Sequence, residues 1–264
     1  MPIPNRRTFA SSVPEFQIRV TDDGSRTLVL ADSETSYHSG CGAAIECDHV
    51  YLKGVGMDPT STEPWPNSIL EIGFGTGMAM LRTLDRAIRY DQPLQYVGLE
   101  TVPLPTSVLR EIGLETGLED PTLAGRFLDA WEQWIDGIRD ENQLPFSWQP
   151  TEHHQIHVRR GDASHWLAHA EETFDGIYFD PFDPATQPEL WARPFVETVV
   201  RRMSQGGRLA TYCSKTEIRR RFEAVGLQVD RVPGPPGGKR EVITCRRGSS
   251  APTTHAFASK GDPA

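Results

Sequence analysis

Short apolar runs along the middle of the chain alternate with segments that carry apolar residues at helical spacing. A run bounded by turn formers is typical of a buried strand, and apolar residues three or four apart predict a helix. The predicted strands are 68–72, 94–100, 155–158, 174–179 and 208–212. The predicted helices are 78–90, 104–115, 126–140, 164–172, 191–203 and 216–225. This alternation predicts an α/β fold with a mostly parallel sheet.

The last part of this pattern predicts how the sheet ends. Two further strands, 227–232 and 242–245, flank a segment rich in glycine and proline, so we expect an antiparallel strand at that end. Gly206 and Gly207 predict a turn, and the proline-punctuated segment 144–154 predicts a surface loop. The two tryptophans of segment 126–140 recur at helical spacing, which favours a place in the core.

The N-terminal part of the chain has a different composition. Short candidate strands occur at 16–20, 27–30, 42–46 and 49–52. Segment 54–67, which is rich in Pro, Gly, Ser and Thr, has no periodicity and predicts a linker. We therefore expect a β-rich extension and linker at 1–66, an α/β domain at 67–248 and a disordered tail at 249–264.

Composition narrows the classes of protein. No apolar run in the 264 residues approaches the roughly 20 needed to span a bilayer, and the first residues lack an apolar signal core. We therefore expect a cytoplasmic protein with no membrane partner. The four cysteines have no metal-ligand spacing, so we expect free thiols and no metal site. The net charge of -9 gives no general attraction to nucleic acid, so an RNA substrate would need a local basic patch.

The strongest chemical signal is the segment 69–81, which reads ILEIGFGTGMAML. A strand, a glycine turn and a helix follow one another, and glycine lets the backbone approach a ligand closely. A dinucleotide fingerprint spaces its glycines G-x-G-x-x-G, whereas the third glycine here comes one residue early. E-x-G-x-G-x-G resembles the first motif of the class I S-adenosylmethionine methyltransferases, which have a Rossmann-like fold. The predicted cofactor-binding residues of this motif are Glu71, Gly73, Phe74, Gly75, Thr76 and Gly77. The alternative is a glycine-rich turn without a ligand.

Two further carboxylates follow predicted strands. Glu100 ends the second strand, where an acidic residue is placed to hydrogen-bond ribose hydroxyls; the alternative is a solvated residue at a strand end. Asp162 follows the third strand, where the methyltransferase resemblance implies a contact with the adenine amine. It could equally cap the helix that begins after it.

Asp180 ends the fourth strand and begins the sequence DPFDP. Ligands of such sheets bind beyond the carboxyl ends of the strands, so Asp180 and the glycine turn should face the same crevice. The prolines make the loop stiff, which suits the alignment of an acceptor atom. A carboxylate can orient an amine and take up its proton, so Asp180 is the predicted catalytic residue. The alternative is an aspartate that only forms a turn before proline.

Four blocks extend the resemblance beyond the fold: LEIGFGTGMAML, YFDPFDPATQPELW, GGRLATYCSKTEIRRRFEAVGLQV and VPGPPGGKREV. Together they resemble the MnmD-type bacterial transferases, which methylate the 5-aminomethyl group of the wobble uridine in tRNA and also form the N-terminal half of MnmC. The early stretch SYHSGCGAAIECDHVYL is similar to the same family, so the resemblance spans most of residues 27–245.

This resemblance implies S-adenosylmethionine as cofactor, 5-aminomethyl-2-thiouridine in tRNA as substrate, and roles for particular residues. Gly73, Gly75 and Glu100 would hold the cofactor, Asp162 would lie near its adenine, and Asp180 would lie at the acceptor. The expected substrate-binding residues are Tyr37, His38, Phe182, Lys239 and Arg240.

The sequence departs from the family pattern in two places. The oxidase half of MnmC is missing from these 264 residues, so we expect a separate enzyme to supply the aminomethyl precursor. Asp180 is followed by Pro-Phe where Gly-Phe is common in the bifunctional form.

Basic residues are concentrated in the last third of the chain. We hypothesise a phosphate-contacting patch, with a solvated helix face as the equal alternative for residues 219–221. Its members would be Arg219, Arg220, Arg221, Lys239, Arg240, Arg246 and Arg247.

Other functions stay open at this level. The same fold could serve a small-molecule N-methyltransferase, an aminopropyltransferase or a non-catalytic partner subunit. The early third glycine disfavours a nicotinamide oxidoreductase. The sequence does not determine the oligomeric state.

Overall fold

A computed structural model of the chain describes residues 6–33, 35–137 and 145–248. The N-terminal part forms a three-stranded antiparallel sheet in the order β1-β2-β3. Its strands are β1 (Thr8–Ala10), β2 (Phe16–Val20) and β3 (Arg26–Leu30). The predicted strands at 16–20 and 27–30 are confirmed, whereas β1 was not predicted.

The prediction of strands at 42–46 and 49–52 is wrong. This segment is helical: α1 (Ala43–Glu46) continues directly into a π-helix, Cys47–Leu52. Its start is held by groups from the preceding hairpin, since the Ser25 hydroxyl accepts hydrogen bonds from the backbone N–H groups of Ala43 and Ala44 at 3.1 Å. These caps come from residues about 20 positions earlier, so local β propensity did not decide the structure.

The main sheet of the described residues has eight strands in the order β10-β11-β9-β8-β4-β5-β7-β6. They are β4 (Ser68–Ile72), β5 (Leu94–Glu100), β6 (Phe146–Thr151), β7 (His154–Arg160), β8 (Phe174–Phe179), β9 (Met203–Thr211), β10 (Leu227–Pro233) and β11 (Glu241–Arg247). The five strands from β9 to β7 run parallel. β11 runs antiparallel to β9 and β10, so the predicted antiparallel end is confirmed.

Helices cover both faces of this sheet. They are α2 (Met78–Arg89), α3 (Thr106–Ile112), α4 (Thr122–Gly137), α5 (Ala163–His169), α6 (Arg193–Arg201), α7 (Thr216–Ala224) and a 3₁₀-helix, Pro188–Trp191. One apolar core joins α2, α3 and α4 to the sheet and to Ile18 and Leu28 of the N-terminal strands. A second core lies on the other face with α5, α6 and α7. The N-terminal sheet therefore shares a core with the helices that flank the glycine turn.

The predicted surface loop at 144–154 contains an edge strand instead. β6 pairs antiparallel with β7, and its register shifts between Trp148 and Thr151, where Pro150 interrupts the hydrogen bonding. Phe146 is buried against Phe127 and Trp131 of α4. The burial of Phe146 thus outweighs the tendency of Pro150 to disrupt a strand. An edge strand can contain a proline where its pairing is irregular.

The glycine pair 206–207 lies inside β9 and does not form a separate turn. Phe174 pairs with Met203 and Gly176 pairs with Arg208, so β9 carries extra residues opposite a short stretch of β8. Gly206 has a φ of 76°, which glycine adopts without strain. The pair therefore accommodates a bulge, which is a common place for glycine within a strand.

The division of the chain at residue 66 remains a prediction. Residues 138–140 of the predicted helix 126–140, residue 144 of the predicted loop and the predicted tail 249–264 lie outside the described residues. Within the described ranges, no helix combines the length and apolar character needed to cross a membrane. The same ranges contain no cluster of three or more His, Cys, Asp or Glu side chains suited to a metal ion.

Candidate functional site

A cavity of about 610 Å³ opens at the carboxyl ends of β4, β5 and β8. Its walls come from the glycine turn, the loops after β5, β7 and β8, and the N-terminal segment after β3. Most of the residues predicted for the site meet here. They are Tyr37, His38, Glu71, Gly73, Phe74, Gly75, Thr76, Glu100, Asp162, Asp180, Phe182 and Lys239. Gly77 and Arg240 do not line the cavity.

The glycine turn brings the backbone close to the loop after β8. Gly73 has a φ of 90°, and a Cβ there would overlap the backbone carbonyl oxygen of Asp180. Gly75 has a φ of 54°, and a Cβ there would lie 3.3 Å from the Tyr37 ring. The backbone N–H groups of Gly73 and Phe74 both donate to the Leu99 carbonyl at 3.1 Å. The turn is therefore a tight cradle in which side chains have no room.

Gly77 has a packing role and does not line the cavity, while its predicted part in cofactor binding stays a prediction. It precedes α2 with a φ of 74°, and a Cβ would lie 2.9 Å from Cζ of Phe74. Phe74 itself turns into the core and stacks on Trp131 with ring centroids 5.5 Å apart. The third glycine makes room for this aromatic packing, because a side chain there would occupy the space of the Phe74 ring.

Glu100 joins the end of β5 to the glycine turn. Its Oε2 accepts a hydrogen bond from Gly75 N at 2.8 Å, and its Oε1 accepts one from Val102 N at 2.9 Å. Burial raises the pKa of this carboxyl, while the backbone donors act in the opposite direction. The carboxylate is thereby fixed at the cavity wall.

Glu71 lies at the base of the cavity and is only 2% exposed. The Tyr96 hydroxyl donates to its Oε2 at 2.7 Å. Burial holds the pKa of Glu71 well above its ordinary value, because the interior disfavours the charged form. Glu71 therefore binds a proton more readily than a solvated carboxylate does.

Asp162 caps a helix and also lines the cavity. Its Oδ1 accepts a hydrogen bond from Ser164 N at 2.7 Å at the start of α5. The capping alternative is thus confirmed, while the contact with an adenine stays a prediction. The two uses are compatible, since a carboxylate has more than one acceptor site.

Asp180 lines the cavity beside the glycine turn. Its backbone N–H donates to the Ile72 carbonyl at 3.0 Å, which fixes it beside the glycine turn. Burial raises the pKa of Asp180 well above its ordinary value; the neighbouring Glu46 charge adds to this effect, while Tyr51 and Lys239 oppose it. Tyr51 is 1% exposed, and its hydroxyl has no full hydrogen bond within the described residues.

The loop after Asp180 is anchored through its backbone. The Tyr212 hydroxyl donates to the Pro181 carbonyl at 2.9 Å, and Trp191 Nε1 donates to the Phe182 carbonyl at 2.7 Å. Phe182 N in turn donates to Gln187 Oε1 at 2.9 Å. Gln187 and Trp191 belong to the same motif as Asp180, whereas sequence reasoning gave no signal for Tyr212.

Tyr37 and His38 form the wall contributed by the N-terminal part. The Tyr37 ring meets the Phe182 ring edge to face, with centroids 5.2 Å apart. Burial raises the pKa of Tyr37 to about 12, so its hydroxyl keeps its proton at neutral pH. His38 lies 3.1 Å from the Thr27 hydroxyl through Nδ1, and burial lowers its pKa to about 4. His38 is therefore a neutral, buried group at neutral pH.

Glu46 is a cavity residue that sequence reasoning missed. It was placed in a predicted strand, but it ends α1 and is 7% exposed, with Oε2 accepting from Ser39 N at 2.6 Å. Lys239 reaches the same end of the cavity, where its ammonium lies 3.9 Å from the centroid of the Tyr212 ring. Arg240, its neighbour, is exposed and outside the cavity wall, because successive residues of this extended loop point in different directions.

Several members of the predicted basic patch are already paired. Arg219 and Arg221 form ion pairs with Glu223 and Glu217 at 3.4 and 3.9 Å, which supports the solvated helix face for these two. Arg246 lies 3.7 Å from a carboxylate of the linker, and Arg247 donates to backbone carbonyls. Arg220 and Arg240 are exposed and form no ion pair among the described residues.

Known proteins with a similar sequence or fold share this α/β architecture. Residues 122–247 match the family described as S-adenosyl-L-methionine-dependent methyltransferase. The solved structure of MNMC2 from Aquifex aeolicus is similar, with a TM-score of 0.66 at 19% identity over 95% of this chain and 72% of that one. Spermidine synthase from Thermotoga maritima shares the fold with a TM-score of 0.50 at 15% identity, over 92% of this chain and 72% of that one. The chain therefore has the fold of the class I S-adenosylmethionine-dependent methyltransferases, and its residues 122–247 match a family of that description.

Within this class, the chain is similar to the bifunctional proteins named MnmC, which act in tRNA 5-methylaminomethyl-2-thiouridine biosynthesis. It is 29% identical to MnmC of Cupriavidus metallidurans over 80% of this chain and 31% of that protein. It is 30% identical to MnmC of Cupriavidus necator over 75% of this chain and 30% of that protein. The chain thus spans about a third of the length of the curated relatives that it matches.

Proposed function

We propose that the protein methylates the 5-aminomethyl group of the wobble 5-aminomethyl-2-thiouridine in tRNA and forms 5-methylaminomethyl-2-thiouridine. The printed name of the MnmC relatives supports this product. The observation that carries the proposal is the position of Asp180, which lines the same cavity as the glycine turn and whose carboxyl lies beside the Tyr51 hydroxyl and within the influence of the Lys239 charge. Such a carboxyl is free to accept hydrogen bonds from an amine.

The residues at the other end of the cavity fit S-adenosylmethionine as the methyl donor. Gly73 and Gly75 leave the backbone accessible, as a close approach of ligand and chain requires. Glu100 presents a fixed carboxylate for ribose hydroxyls, and Asp162 lies at the edge where we place the adenine. When bound, the cofactor supplies a methyl group that its sulfonium already activates.

The protein residues then have to prepare and orient the amine. An ammonium has no free lone pair, so the nitrogen must give up a proton before it can form its new bond to carbon. Asp180 accepts that proton, and its raised pKa makes the protonated carboxyl easier to form than on a solvated aspartate. The Asp180–Asp183 loop holds this group in place through Tyr212, Gln187 and Trp191.

The proposed partner is tRNA, and the proposed compartment is the cytoplasm. None of the residues assigned to methyl transfer accounts for making the aminomethyl group. We therefore propose that a separate enzyme supplies this precursor. The exposed Arg220 and Arg240 are the remaining candidates for phosphate contacts.

The test is transfer of labelled methyl from S-adenosylmethionine to tRNA that carries 5-aminomethyl-2-thiouridine. We expect label in the wobble nucleoside with the wild type and a loss of about 100-fold or more in rate with Asp180→Asn, as general-base removal typically gives. Asp230→Asn, an exposed substitution on the edge strand β10, is the matched control. Wild type that binds the donor but methylates a small amine such as spermidine, and not this tRNA, would contradict the proposal.

A further inference from the structure

Glu46 is a buried cavity residue to which the proposed reaction assigns no task. Its Oε2 accepts the Ser39 backbone N–H at 2.6 Å, and its Oε1 has no hydrogen-bond partner among the described residues. A carboxylate oxygen that lines a cavity and has no protein partner can accept hydrogen bonds from the N–H groups of a ligand. One side of Glu46 therefore supports the wall of the cavity, and the other is available to a ligand.

Tyr51 is a second buried polar residue beside the Asp180 carboxyl. It lies in the π-helix that continues from Glu46 and is 1% exposed. Its hydroxyl lies beside the Asp180 carboxyl and has no full hydrogen bond within the described residues. Buried hydroxyls are normally satisfied, so the Tyr51 hydroxyl and the Asp180 carboxyl are incompletely paired with each other.

Lys239 is the cation of this cluster, but it does not satisfy the carboxyls. Its charge acts on both Glu46 and Asp180, yet it forms no ion pair with either within 4.0 Å among the described residues. Its ammonium is placed over the Tyr212 ring and donates to the Tyr212 carbonyl at 3.4 Å. Glu46 and Asp180 thus share one nearby positive charge, the Lys239 ammonium, which is directed at the Tyr212 ring and not at either carboxyl.

We propose that Glu46 is a specificity-determining residue that, together with Asp180, binds the acceptor amine as its ammonium ion. This inference rests on the proposed function and assigns each carboxyl a separate task. Asp180 takes one proton from the ammonium and leaves a neutral amine with its lone pair, while Glu46 keeps its charge and holds a remaining N–H. No other bond changes in this step.

The two carboxyls also define which acceptors are excluded. An acceptor whose nitrogen carries a carboxymethyl group would place an anion against Glu46 and Asp180. Like charges at short distance in a partly buried site repel strongly. The site therefore selects a free aminomethyl group over an N-carboxymethylated one, and Glu46 supplies much of this selectivity.

The test uses Glu46→Gln, which keeps an oxygen for the Ser39 N–H and removes only the charge. Its control is Glu197→Gln, a half-buried glutamate of α6 that pairs with Arg193 and lies outside the cavity wall. Two tRNAs are used: one with 5-aminomethyl-2-thiouridine as substrate, and one with the 5-carboxymethylaminomethyl form as competitive inhibitor. Calorimetry with S-adenosylmethionine measures the donor end separately.

We expect Glu46→Gln to raise KM for the aminomethyl tRNA about tenfold or more, as loss of one partner of a buried charge pair does. The ratio of the inhibition constant of the carboxymethylated tRNA to this KM should fall by a similar factor. The dissociation constant of the donor should stay within about twofold. Glu197→Gln should match the wild type in its KM, its inhibition ratio and its dissociation constant for the donor.

Two results would overturn the inference while leaving the proposed function intact. In one, wild type and Glu46→Gln share the same KM and the same inhibition ratio. In the other, Glu46→Gln loses donor binding, which would make Glu46 a structural support. Wild type that leaves the aminomethyl tRNA unlabelled would overturn the proposed function and this inference with it.

Discussion

The Glu100 carboxylate accepts a hydrogen bond from the backbone N–H of Gly75 at 2.8 Å. This bond joins the end of β5 to the glycine turn after β4, two places that are 25 residues apart in the chain. The second carboxylate oxygen accepts from Val102 N. One side chain therefore fixes both loops that frame the proposed donor site.

Glu100→Ala should weaken donor binding. The substitution leaves two backbone N–H groups without their acceptor, and a hydrogen bond to a charged group contributes about 1.5–3 kcal/mol. We expect the dissociation constant of S-adenosylmethionine to rise about 10-fold to 150-fold, as measured by calorimetry. Glu115→Ala, at an exposed position outside the cavity, should leave it unchanged.

Gly73→Ala should be among the most damaging single changes in the turn. Its φ of 90° is unfavourable for alanine, and the new Cβ would overlap the Asp180 carbonyl oxygen. We expect loss of donor binding together with a lower Tm. Gly125→Ala is the matched control, because this glycine lies inside α4 with no atom within 4 Å of the added Cβ. Alanine there should raise the stability by about 1 kcal/mol.

Asp180→Asn should stabilise the fold at neutral pH. The pKa of Asp180 is raised in the folded protein, so the folded state binds the proton more tightly than the unfolded state does. The charged carboxyl therefore costs stability above the ordinary aspartate pKa of about 3.9, and the cost disappears below it. Thermal unfolding should show a higher Tm for Asp180→Asn at pH 7 and a difference that shrinks towards pH 4. A difference independent of pH would contradict this account.

Tyr37 should act through its ring. The edge-to-face contact with Phe182 survives in Tyr37→Phe and is lost in Tyr37→Ala, and such aromatic pairs contribute about 0.5–1.5 kcal/mol. We expect Tyr37→Ala to raise KM for tRNA several-fold with little change in donor affinity. Tyr37→Phe should keep a constant activity relative to wild type from pH 7 to about 9, because the pKa of Tyr37 is raised to about 12. A Tyr37→Phe defect as large as that of Tyr37→Ala would assign the role to the hydroxyl.

The strands around the site follow directly from the local sequence. β4, β5 and β8 have the predicted bounds, because each is a continuous apolar run that ends at a glycine turn or a carboxylate. The glycine spacing also gave the cavity wall at Gly73 and Gly75. Buried parallel strands have apolar residues on both faces, so their pattern needs no knowledge of their neighbours.

The errors occur where distant contacts decide the local structure. Segment 42–52 is helical because the Ser25 hydroxyl caps α1 from another element. β6 forms because Phe146 packs under α4, although Pro150 disfavours a strand. Gly206 lies in a bulge of β9, which only the pairing with β8 reveals. In each case, burial or capping at long range outweighs propensity.

The sequence by itself determined the α/β fold, the glycine turn and the carboxylates at the strand ends, since these depend on residue type at fixed local spacing. Only the tertiary structure placed Glu46 and Tyr51 against Asp180 and turned Gly77 into a packing position. It also showed that Tyr212 anchors the loop after β8. Glu46 and Tyr51 lie more than 100 residues before Asp180 in the sequence, and only the folded core sets the distances and burial that give these groups their chemistry.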